Sequence, residues 1–360
     1  MDRQVALVTG ATGLLGNNLV RLLVREGFAV KALARSPEKA RRQLAGVPVE
    51  VVVGDVTDVP GFAGTLRGVD VVFHTAAYFR DGYKGGSHWG ALHRTNVLGT
   101  RALLEAAHAA GVRRFVHASS TAVLDGAPGA VLDETSLRAE RDADDYFRSK
   151  IQSDREVLRF LDAHPEMFAA LVLPGWMHGP GDAGPTSAGQ LTLDFARGKL
   201  PGLVPGAFSV VDARVVAQAM LLAARKGRRG ERYLAAGRSL TMAELARDLE
   251  RVSGVPAPTR PVPFAALYAL AGAGELWHRL TRRPLLISLA TVRLMARERE
   301  KSHFDSSKAE RELGVTFRPV EETLRDELAW YREHGFLPHP IPASHGQRMA
   351  SSARSDEAPL

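Results

Sequence analysis

The first half of the chain alternates short apolar runs with longer amphipathic segments. Six runs are apolar at most positions and often bounded by glycine, which is typical of strands buried on both faces: residues 4–9, 29–34, 49–53, 69–74, 114–119 and 168–173. Between them, residues 14–26 and 96–110 repeat apolar side chains at helical spacing, and Gly111 follows as a C-terminal stop. This alternation predicts an α/β fold with a doubly wound parallel sheet.

The second half is less regular. Residues 175–206 are rich in glycine and proline, which predicts long loops around one helix at residues 190–197. Thr241 and Glu244 have the spacing of a capping box at the start of a helix over residues 240–253. A strand at residues 233–236 and helices at residues 264–281 and 284–300 complete the predicted elements. Residues 338–360 have few large apolar side chains and are predicted to be a disordered tail.

A glycine-rich turn joins the first predicted strand to the first predicted helix. It reads Thr9-Gly10-Ala11-Thr12-Gly13-Leu14-Leu15-Gly16. Gly10 permits the tight turn, Gly13 lets the backbone approach a pyrophosphate, and Gly16 lets the helix pack closely on the strand. The helix N-terminus presents its amide groups to the phosphates. We therefore expect a dinucleotide on a Rossmann sheet, in contact with Gly10, Thr12, Gly13, Leu14, Leu15 and Gly16.

The end of the second strand indicates which dinucleotide is bound. A carboxylate there would hydrogen-bond the ribose 2′-hydroxyl of NAD, whereas an arginine would accommodate the 2′-phosphate of NADP. Ala34 is followed by Arg35 and Ser36, and the first acidic residue is Glu38. The sequence therefore predicts NADP, supplied as NADPH, with Arg35 as a contact, and NAD is the less expected cofactor.

Tyr146 and Lys150 are four residues apart, so on a helix they share one face. When a carbonyl accepts a hydride, the oxygen needs a proton, and a phenol can supply it. A neighbouring ammonium and the positive ring of an oxidised nicotinamide would favour the phenolate and lower the tyrosine pKa. Lys150 can also hydrogen-bond the nicotinamide ribose. The pair predicts an oxidoreductase acting on a C=O or CH–OH group.

Together these motifs resemble the extended short-chain dehydrogenase/reductase family, the NAD-dependent epimerase/dehydratase superfamily. The resemblance runs from about residue 4 to 337 and includes Gly54-Asp55-Val56, His74-Thr75-Ala76-Ala77 and Ser119-Ser120. It implies that Asp55, next to Val56, contacts the adenine and that Ala76 and Ala77 pass behind the nicotinamide ribose. It also implies that Ser120, in preference to Ser119 and Thr121, holds the substrate oxygen. Asn96 resembles the family's helix asparagine, and a catalytic and a structural role both stay open for it.

The segment after the sixth strand separates two branches of that family. Pro174 stands beside the cofactor site as in reductases of the dihydroflavonol-4-reductase type, without the arginine and asparagine that many sugar-nucleotide epimerases carry there. Residues 208–212 also lack the arginine with which epimerases hold a diphosphate, although Arg214 could replace it. The resemblance favours a carbonyl reductase. A nucleoside-diphosphate-sugar epimerase or dehydratase with retained NAD(P) is the alternative, and a non-enzymatic dinucleotide sensor is a third reading.

The segment between the fourth strand and the next helix is rich in rings. It holds Tyr78, Phe79, Tyr83, His88, Trp89 and His93. These side chains suggest a pocket wall for an apolar or ring-shaped carbonyl compound, and packing of the loop onto the second half is the other interpretation. His88, His93 and His178 lack the spacing of ligands on one helix face, so no metal is expected.

Composition narrows the class of protein further. The 360 residues are 45% hydrophobic and 24% charged, ordinary for a globular protein, and the absence of cysteine excludes disulfides and thiolate metal sites. No apolar run is long enough for a membrane span and no signal-peptide pattern is present, which predicts a cytoplasmic protein. The net charge of +7 comes mostly from scattered arginines, so we expect a diffuse basic surface, a small-molecule substrate and no nucleic-acid partner.

These patterns predict two unequal parts. Residues 1–174 form the NADP-binding Rossmann domain, to which strands at about residues 208–236 return. Residues 175–337 form a smaller, mainly helical substrate-binding part. The family resemblance further implies a homodimer.

Overall fold

The computed structural model describes residues 3–79, 88–281 and 288–338. The strands predicted in the first half lie in one parallel sheet of seven described strands, in the order β3-β2-β1-β4-β5-β6-β9. These strands are β1 (Val5–Thr9), β2 (Ala29–Ala34), β3 (Glu50–Val53), β4 (Val71–His74), β5 (Arg114–Ala118), β6 (Phe168–Pro174) and β9 (Arg232–Ala235). The order reverses between β1 and β4, which opens a crevice at the carboxyl ends of these strands.

Helices cover both faces of this sheet. The described helices are α1 (Leu14–Arg25), α2 (Pro37–Gln43), α3 (Trp89–Leu92), α4 (Gly99–Ala109), α5 (Asp145–Ala163), α6 (Ser187–Ala196), α7 (Ala213–Lys226), α8 (Met242–Ser253), α9 (Phe264–Thr281), α10 (Leu289–Glu298) and α11 (Val320–Glu333). Because alternate strand residues point to opposite sides, Ala6 and Val8 pack with α1 and α7, whereas Leu7 packs with α4 and α5. The doubly wound α/β prediction is confirmed.

A smaller sheet follows the sixth strand. It contains β7 (Trp176–His178), β8 (Ala207–Asp212) and β10 (Arg238–Thr241) in the order β10-β8-β7. Helices α6, α8 and α11 cover it around a core that includes Phe195, Leu245 and Leu324. The sequence assigned strands at about residues 208–236 to the large sheet, but only β9 lies there among the described strands. In the large sheet β9 pairs with β6, whereas β8 pairs with β7 in the smaller sheet.

The predicted strands begin and end within two residues of the observed ones. The helix predicted at residues 96–110 differs at its start, because His93–Leu98 form a π-helical turn before α4. Both hydrogen bonds of the predicted capping box, between Thr241 and Glu244, are present at α8. Of the helix predicted at residues 284–300, α10 is described, and it packs against α9.

The predicted tail, apart from residue 338, lies outside the described residues. Within the three described ranges, no helix combines the length and the apolarity needed to cross a bilayer.

Candidate active site

The residues singled out in the sequence follow the carboxyl ends of consecutive strands. Gly10 follows β1, Arg35 follows β2, Asp55 comes after β3, Ala76 after β4 and Ser120 after β5. In a parallel sheet these ends share one edge, and ligands bind in the crevice at that edge. The fold therefore places the glycine loop, Arg35 and Ser120 on one side of the molecule.

The backbone of the glycine loop explains two of its glycines. Gly10 has φ +66°, a left-handed conformation that favours glycine. A Cβ on Gly10 would also lie 2.8 Å from the amide nitrogen of Ala76, in the loop after β4. A Cβ on Gly16 would lie 2.2 Å from the carbonyl oxygen of Gly10. These two glycines let β1, α1 and the loop after β4 meet without side chains between them.

The same loop fits the diphosphate of a dinucleotide. Gly13 is the N-cap of α1, so no side chain caps this helix, and its first turn carries no acidic residue. A Cβ on the exposed Gly13 would have a single neighbour within 4 Å, the Gly10 carbonyl oxygen. Leu14 and Leu15 bury their side chains in the core, which leaves their backbones as the groups facing the loop. A helix N-terminus open in this way attracts phosphate oxygens.

A buried hydrogen-bonded chain links the glycine loop to the loop after β4. The hydroxyl of Thr9 lies 2.8 Å from Nδ1 of His74 and accepts from the amide nitrogens of Thr75 and Ala76. Nε2 of His74 lies 2.9 Å from the hydroxyl of Thr100 on α4. Burial, with a smaller effect from the Lys150 charge, lowers the pKa of His74 to about 3, so its ring is neutral. This hydrogen-bonded chain was not predicted from the sequence. Its signal there is the polar residue that ends each apolar strand, Thr9 in β1 and His74 in β4.

Arg35 and Asp55 lie together at the end that would receive the adenosine half of a dinucleotide. The Arg35 guanidinium is 3.8 Å from the Asp55 carboxylate, and its side chain is 81% exposed. Asp55 also accepts hydrogen bonds from the backbone and hydroxyl of Thr57. Ser36 caps α2 by accepting from the amide of Lys39. The guanidinium is therefore accessible to a ligand phosphate, and its one ion pair within the described residues is long and exposed.

The Ser120 hydroxyl is a hydrogen-bonding neighbour of the Tyr146 phenol and opposes the rise of the tyrosine pKa. Tyr146 lies in the first turn of α5, which begins here because Asp144 accepts from the amide of Phe147 as an N-cap. Ser120 starts the turn after β5, and its Oγ accepts from the amide of Ala122 at 3.2 Å. Two elements distant in sequence thus bring a phenol and a hydroxyl to one point.

The neighbouring serine points elsewhere. Ser119 is buried, and its hydroxyl donates to the carboxylate of Asp154 at 2.9 Å. Asp154 is one turn beyond Lys150 on α5 and also lies 3.5 Å from Arg232. The geometry therefore assigns the two serines different partners, with Ser120 beside Tyr146 and Ser119 in the interior.

Lys150 lies under Tyr146 on the same face of α5. Its side chain is buried, and Nζ donates to the carbonyl oxygen of Ala118 at 2.7 Å. Burial lowers the pKa of Lys150 to about 8, and the Asp154 charge opposes that shift. At neutral pH the ammonium form still predominates. A cation is therefore held at the end of β5, beside the hydroxyl pair.

The protein alone keeps Tyr146 protonated. Burial raises the pKa of Tyr146 to about 12, the Ser120 hydrogen bond opposes this rise, and the Asp144 charge adds to it. The direction is opposite to the lowering predicted from the sequence, which also required an oxidised nicotinamide. A neutral phenol is the form that can donate a proton.

Asn96 holds the loop after β4 against α5. Its Oδ1 accepts from the amide of Tyr78 at 2.7 Å, and its Nδ2 donates to the Tyr78 carbonyl at 3.1 Å and to the Ser149 hydroxyl at 2.9 Å. The side chain is buried, and these partners account for its amide group. Of the two roles left open, the contacts favour the structural one.

These observations can be compared with known proteins. A model of the NAD dependent epimerase/dehydratase family matches residues 6–236. The chain belongs to this family. It is 36% identical over 336 residues to sterol demethylase protein B of Methylococcus capsulatus, covering 92% of this chain and 99% of that protein. It is 32% identical over 341 residues to the 4-hydroxy-2-methyl-3-oxo-4-farnesyl-3,4-dihydroquinoline-1-oxide ketoreductase of Stigmatella aurantiaca, covering 92% and 98%.

A solved structure of a nucleoside-diphosphate-sugar epimerase from Pseudomonas aeruginosa is also similar. Its TM-score is 0.75 at 26% identity, covering 93% of this chain and 99% of that one. Membership of the NAD dependent epimerase/dehydratase family supports NAD(P)-dependent reductase, epimerase or dehydratase activity. The extended short-chain dehydrogenase/reductase resemblance is thereby confirmed.

One aromatic side chain of the loop after β4 lies against Tyr146. The ring of Phe79 meets the Tyr146 ring edge-on, with centroids 4.8 Å apart. Trp89 lies under the guanidinium of Arg148, 4.4 Å from its ring centre. Tyr83 lies outside the described residues. The Phe79 ring therefore borders Tyr146 at this edge of the epimerase/dehydratase fold.

None of the histidines considered as metal ligands belongs to a ligand cluster in the described part of the chain. His178 is buried and lies 3.0 Å from the carboxylate of Glu327. The described residues hold one group of three potential ligands, His108, His164 and Glu166, at the far end of α5. There His108 Nε2 lies 2.5 Å from the Glu166 carboxylate, so a hydrogen bond explains the grouping.

Proposed function

We propose that this chain is an NADPH-dependent reductase that converts a ketone or aldehyde of a small apolar or ring-shaped compound into an alcohol. The observation that carries the proposal is the grouping of Tyr146, Ser120 and the buried Lys150, whose Nζ donates to the Ala118 carbonyl at the end of β5. These groups stand on the sheet edge that also carries the glycine loop. They supply a proton, a second hydrogen-bond donor and a fixed cation at one place.

The steps follow from the residues present. When bound, NADPH supplies the hydride. The hydroxyls of Ser120 and Tyr146 donate to the substrate carbonyl oxygen and stabilise the charge that develops there. Tyr146 then transfers its proton to that oxygen, since its raised pKa retains the proton until the oxygen becomes basic. The Lys150 ammonium stabilises the phenolate that remains.

The choice of NADPH rests on the end of β2. Arg35 and Ser36 follow this strand, and no carboxylate occupies the position that would hydrogen-bond a ribose 2′-hydroxyl. The exposed guanidinium of Arg35 can exchange its long contact with Asp55 for a 2′-phosphate. An arginine–phosphate pair is charge-assisted on both sides, which makes it stronger than the exposed ion pair.

The substrate class rests on the rings near Tyr146. Phe79 stands against the phenol that would meet the substrate oxygen, and such rings favour an apolar, flat ligand. The names of two relatives agree with this class, since one is named sterol demethylase protein B and the other is named as the ketoreductase of a farnesyl dihydroquinoline oxide.

A sugar-nucleotide epimerase or dehydratase is the alternative within the same family. Its diphosphate would need a cation in place of the missing arginine, and Arg214 is the candidate near that position. The Arg214 guanidinium already lies 2.6 Å from Asp212 and 2.7 Å from Asp326. Because two carboxylates neutralise it, Arg214 is poorly placed to bind a diphosphate, which favours the reductase.

The Tyr146→Phe variant tests the proton donor. Its NADPH-dependent turnover of aromatic ketones should fall about 10²- to 10⁴-fold, the usual contribution of a positioned acid. NADPH affinity should stay within about threefold, because the glycine loop is unchanged. Turnover is measured by NADPH absorbance and affinity by calorimetry.

Tyr233→Phe is the matched control, since it also removes a phenol hydroxyl, bonded to the Arg228 amide and Glu312. It should retain turnover. Full activity in Tyr146→Phe would reject Tyr146 as the donor. If wild-type protein consumes no NADPH with carbonyl compounds but interconverts nucleotide sugars, the epimerase alternative replaces the reductase.

A further inference from the structure

Arg138 is a buried arginine that contacts a near neighbour of each member of the candidate catalytic pair, Ser120 and Tyr146. It lies in the long connection between β5 and α5, and its side chain is 1% exposed. Its Nε donates to the carbonyl oxygen of Ala122 at 3.1 Å. Its guanidinium carbon lies 4.7 Å from the centre of the Phe147 ring. Ala122 is two residues after Ser120 and Phe147 is one residue after Tyr146, so one planar group contacts both segments.

The contact with Ala122 continues to the serine hydroxyl. The amide nitrogen of Ala122 donates to Ser120 Oγ, so the residue whose carbonyl accepts from Arg138 also contacts the serine hydroxyl through its amide. The amide of Arg138 also donates to the carbonyl of Val123 at 2.8 Å. Arg138 therefore restrains the turn after β5 at two neighbouring residues. The Ala122 amide occupies one acceptor site of Ser120 Oγ, and Tyr146 is its hydrogen-bonding neighbour on α5.

The opposite edge of the guanidinium faces the second part of the chain. Its two terminal nitrogens donate to both carboxylate oxygens of Glu298, at 3.1 and 2.8 Å, and Glu298 is the last residue of α10. Asp125 lies 3.4 Å from the same guanidinium and accepts from Lys301 at 2.7 Å. A bidentate pair of this kind fixes orientation as well as distance.

From this arrangement we infer that Arg138 is a positioning residue, which holds Ser120 and Tyr146 within hydrogen-bond reach and does so when α10 is docked through Glu298. This inference rests on the proposed reductase function. Lysine cannot replace Arg138, because one ammonium lacks the planar fork that reaches Ala122 and both oxygens of Glu298 together. The stacking on Phe147 would be lost as well.

The test compares Arg138→Lys with Arg228→Lys. Arg228 makes a bidentate pair with Glu312, at 2.7 and 3.0 Å, away from the catalytic pair, and so controls for the general cost of losing such a pair. In Arg138→Lys, kcat should fall about 10- to 100-fold, the effect expected of a misplaced catalytic group. The KM for NADPH should stay within about twofold. Arg228→Lys should keep wild-type values of both constants.

Hydrogen exchange measured by mass spectrometry gives a readout that does not need turnover. In Arg138→Lys, amides of residues 119–124 and 144–149 should exchange faster than in wild-type protein, whereas Arg228→Lys should leave both segments protected. If wild-type protein reduces no carbonyl compound, the proposed function fails, and this measurement still decides the role of Arg138. Unchanged exchange and unchanged kcat in a folded Arg138→Lys protein would overturn the inference.

Glu298→Gln provides the second variant, since removal of a buried arginine can prevent folding. Glutamine keeps the shape of the side chain but removes its charge and one acceptor. We expect a smaller loss, about 3- to 10-fold in kcat, with faster exchange in the same two segments. Wild-type kcat and exchange in Glu298→Gln would show that α10 has no part in positioning the pair.

Discussion

Arg35 is the residue on which the proposed preference for NADPH rests. Its guanidinium has one described ionic partner, Asp55 at 3.8 Å, and water covers most of the side chain. A new hydrogen-bonded pair with a phosphate would therefore cost little desolvation. Asp55 would lose a weak contact and keep its hydrogen bonds with Thr57.

We expect Arg35→Ala to weaken NADPH binding by about 10- to 100-fold, because a hydrogen bond to a charged group contributes about 1.5–3 kcal/mol. NADH binding should change by less than about threefold, since NADH has no 2′-phosphate. Calorimetric titration with both cofactors measures the two changes. Arg41→Ala, which removes an exposed arginine from the neighbouring helix α2, is the control and should leave both affinities as they are. An equal loss for both cofactors in Arg35→Ala would show that Arg35 does not distinguish them.

At the scale of single residues, the sequence predicted the side chains of the candidate site better than it predicted their hydrogen-bond partners. The glycine loop, Tyr146 and Lys150 have a local spacing that few other functions require. By contrast, Arg138 reaches Ala122 across 16 positions and Ser119 reaches Asp154 across 35. No local pattern distinguishes Arg138 from the many other arginines, because its burial is a consequence of tertiary packing.

The π-helical turn before α4 places Asn96 between a loop and a helix. The extra residue in this turn shifts the side chains that follow, and Asn96 reaches both the Tyr78 peptide and Ser149 on α5. Phe79, next to Tyr78, lies against Tyr146. The Asn96 amide thus holds Tyr78, the residue before Phe79, and so affects where the Phe79 ring lies against Tyr146.

We expect Asn96→Ala to lower the free energy of unfolding by about 2–4 kcal/mol, because it removes the hydrogen bonds to both backbone groups of Tyr78 and one of the two hydrogen bonds of the buried Ser149 hydroxyl. The KM for the carbonyl substrate should rise more than kcat falls, since the variant loosens a pocket wall and leaves the proton donor in place. Urea denaturation and steady-state kinetics measure these effects. Asn18→Ala, which removes a buried amide bonded to Leu14 and Pro180, is the control for stability alone. A fall in kcat above 100-fold with unchanged stability would favour the catalytic role for Asn96.

Regular elements could be predicted from the sequence and irregular ones could not. Strands of the large sheet are apolar on both faces, so their pattern is visible in the chain itself. The strands β7 and β10 have three and four residues, β10 has a single apolar side chain, and both pair with β8 in the smaller sheet. The π-helical turn has the same apolar spacing as an ordinary helix and was predicted as one.

Across the whole molecule, two buried histidines connect folding to pH. His74 and His117 lie under the sheet edge with ring centroids 5.4 Å apart. Burial, and secondarily the Lys150 charge, lowers the pKa of both, to about 3 for His74 and well below its usual value for His117. Both rings are therefore neutral in the folded protein at pH values where the unfolded chain binds protons.

This difference fixes the sign of the pH dependence. An unfolded histidine titrates near pH 6.5. These two groups therefore leave the free energy of unfolding unreduced above pH 6.5 and lower it as the pH falls from 6.5 toward 3. Below about pH 6 the loss approaches about 1.4 kcal/mol per pH unit for each histidine. Burial raises the pKa of Asp154, which acts in the opposite sense because the folded protein then binds a proton before the unfolded chain does.

The histidine effect is therefore measured as a difference between variants. Free energies of unfolding at pH 7.5, 6.5 and 5.5 should fall less steeply for His117→Asn than for wild-type protein, because asparagine carries no titrating group. The exposed His334, changed to asparagine as a control, should leave the wild-type slope. If His117→Asn keeps that slope as well, His117 binds its proton in the folded protein, and a cation rather than a neutral ring lies beside Lys150.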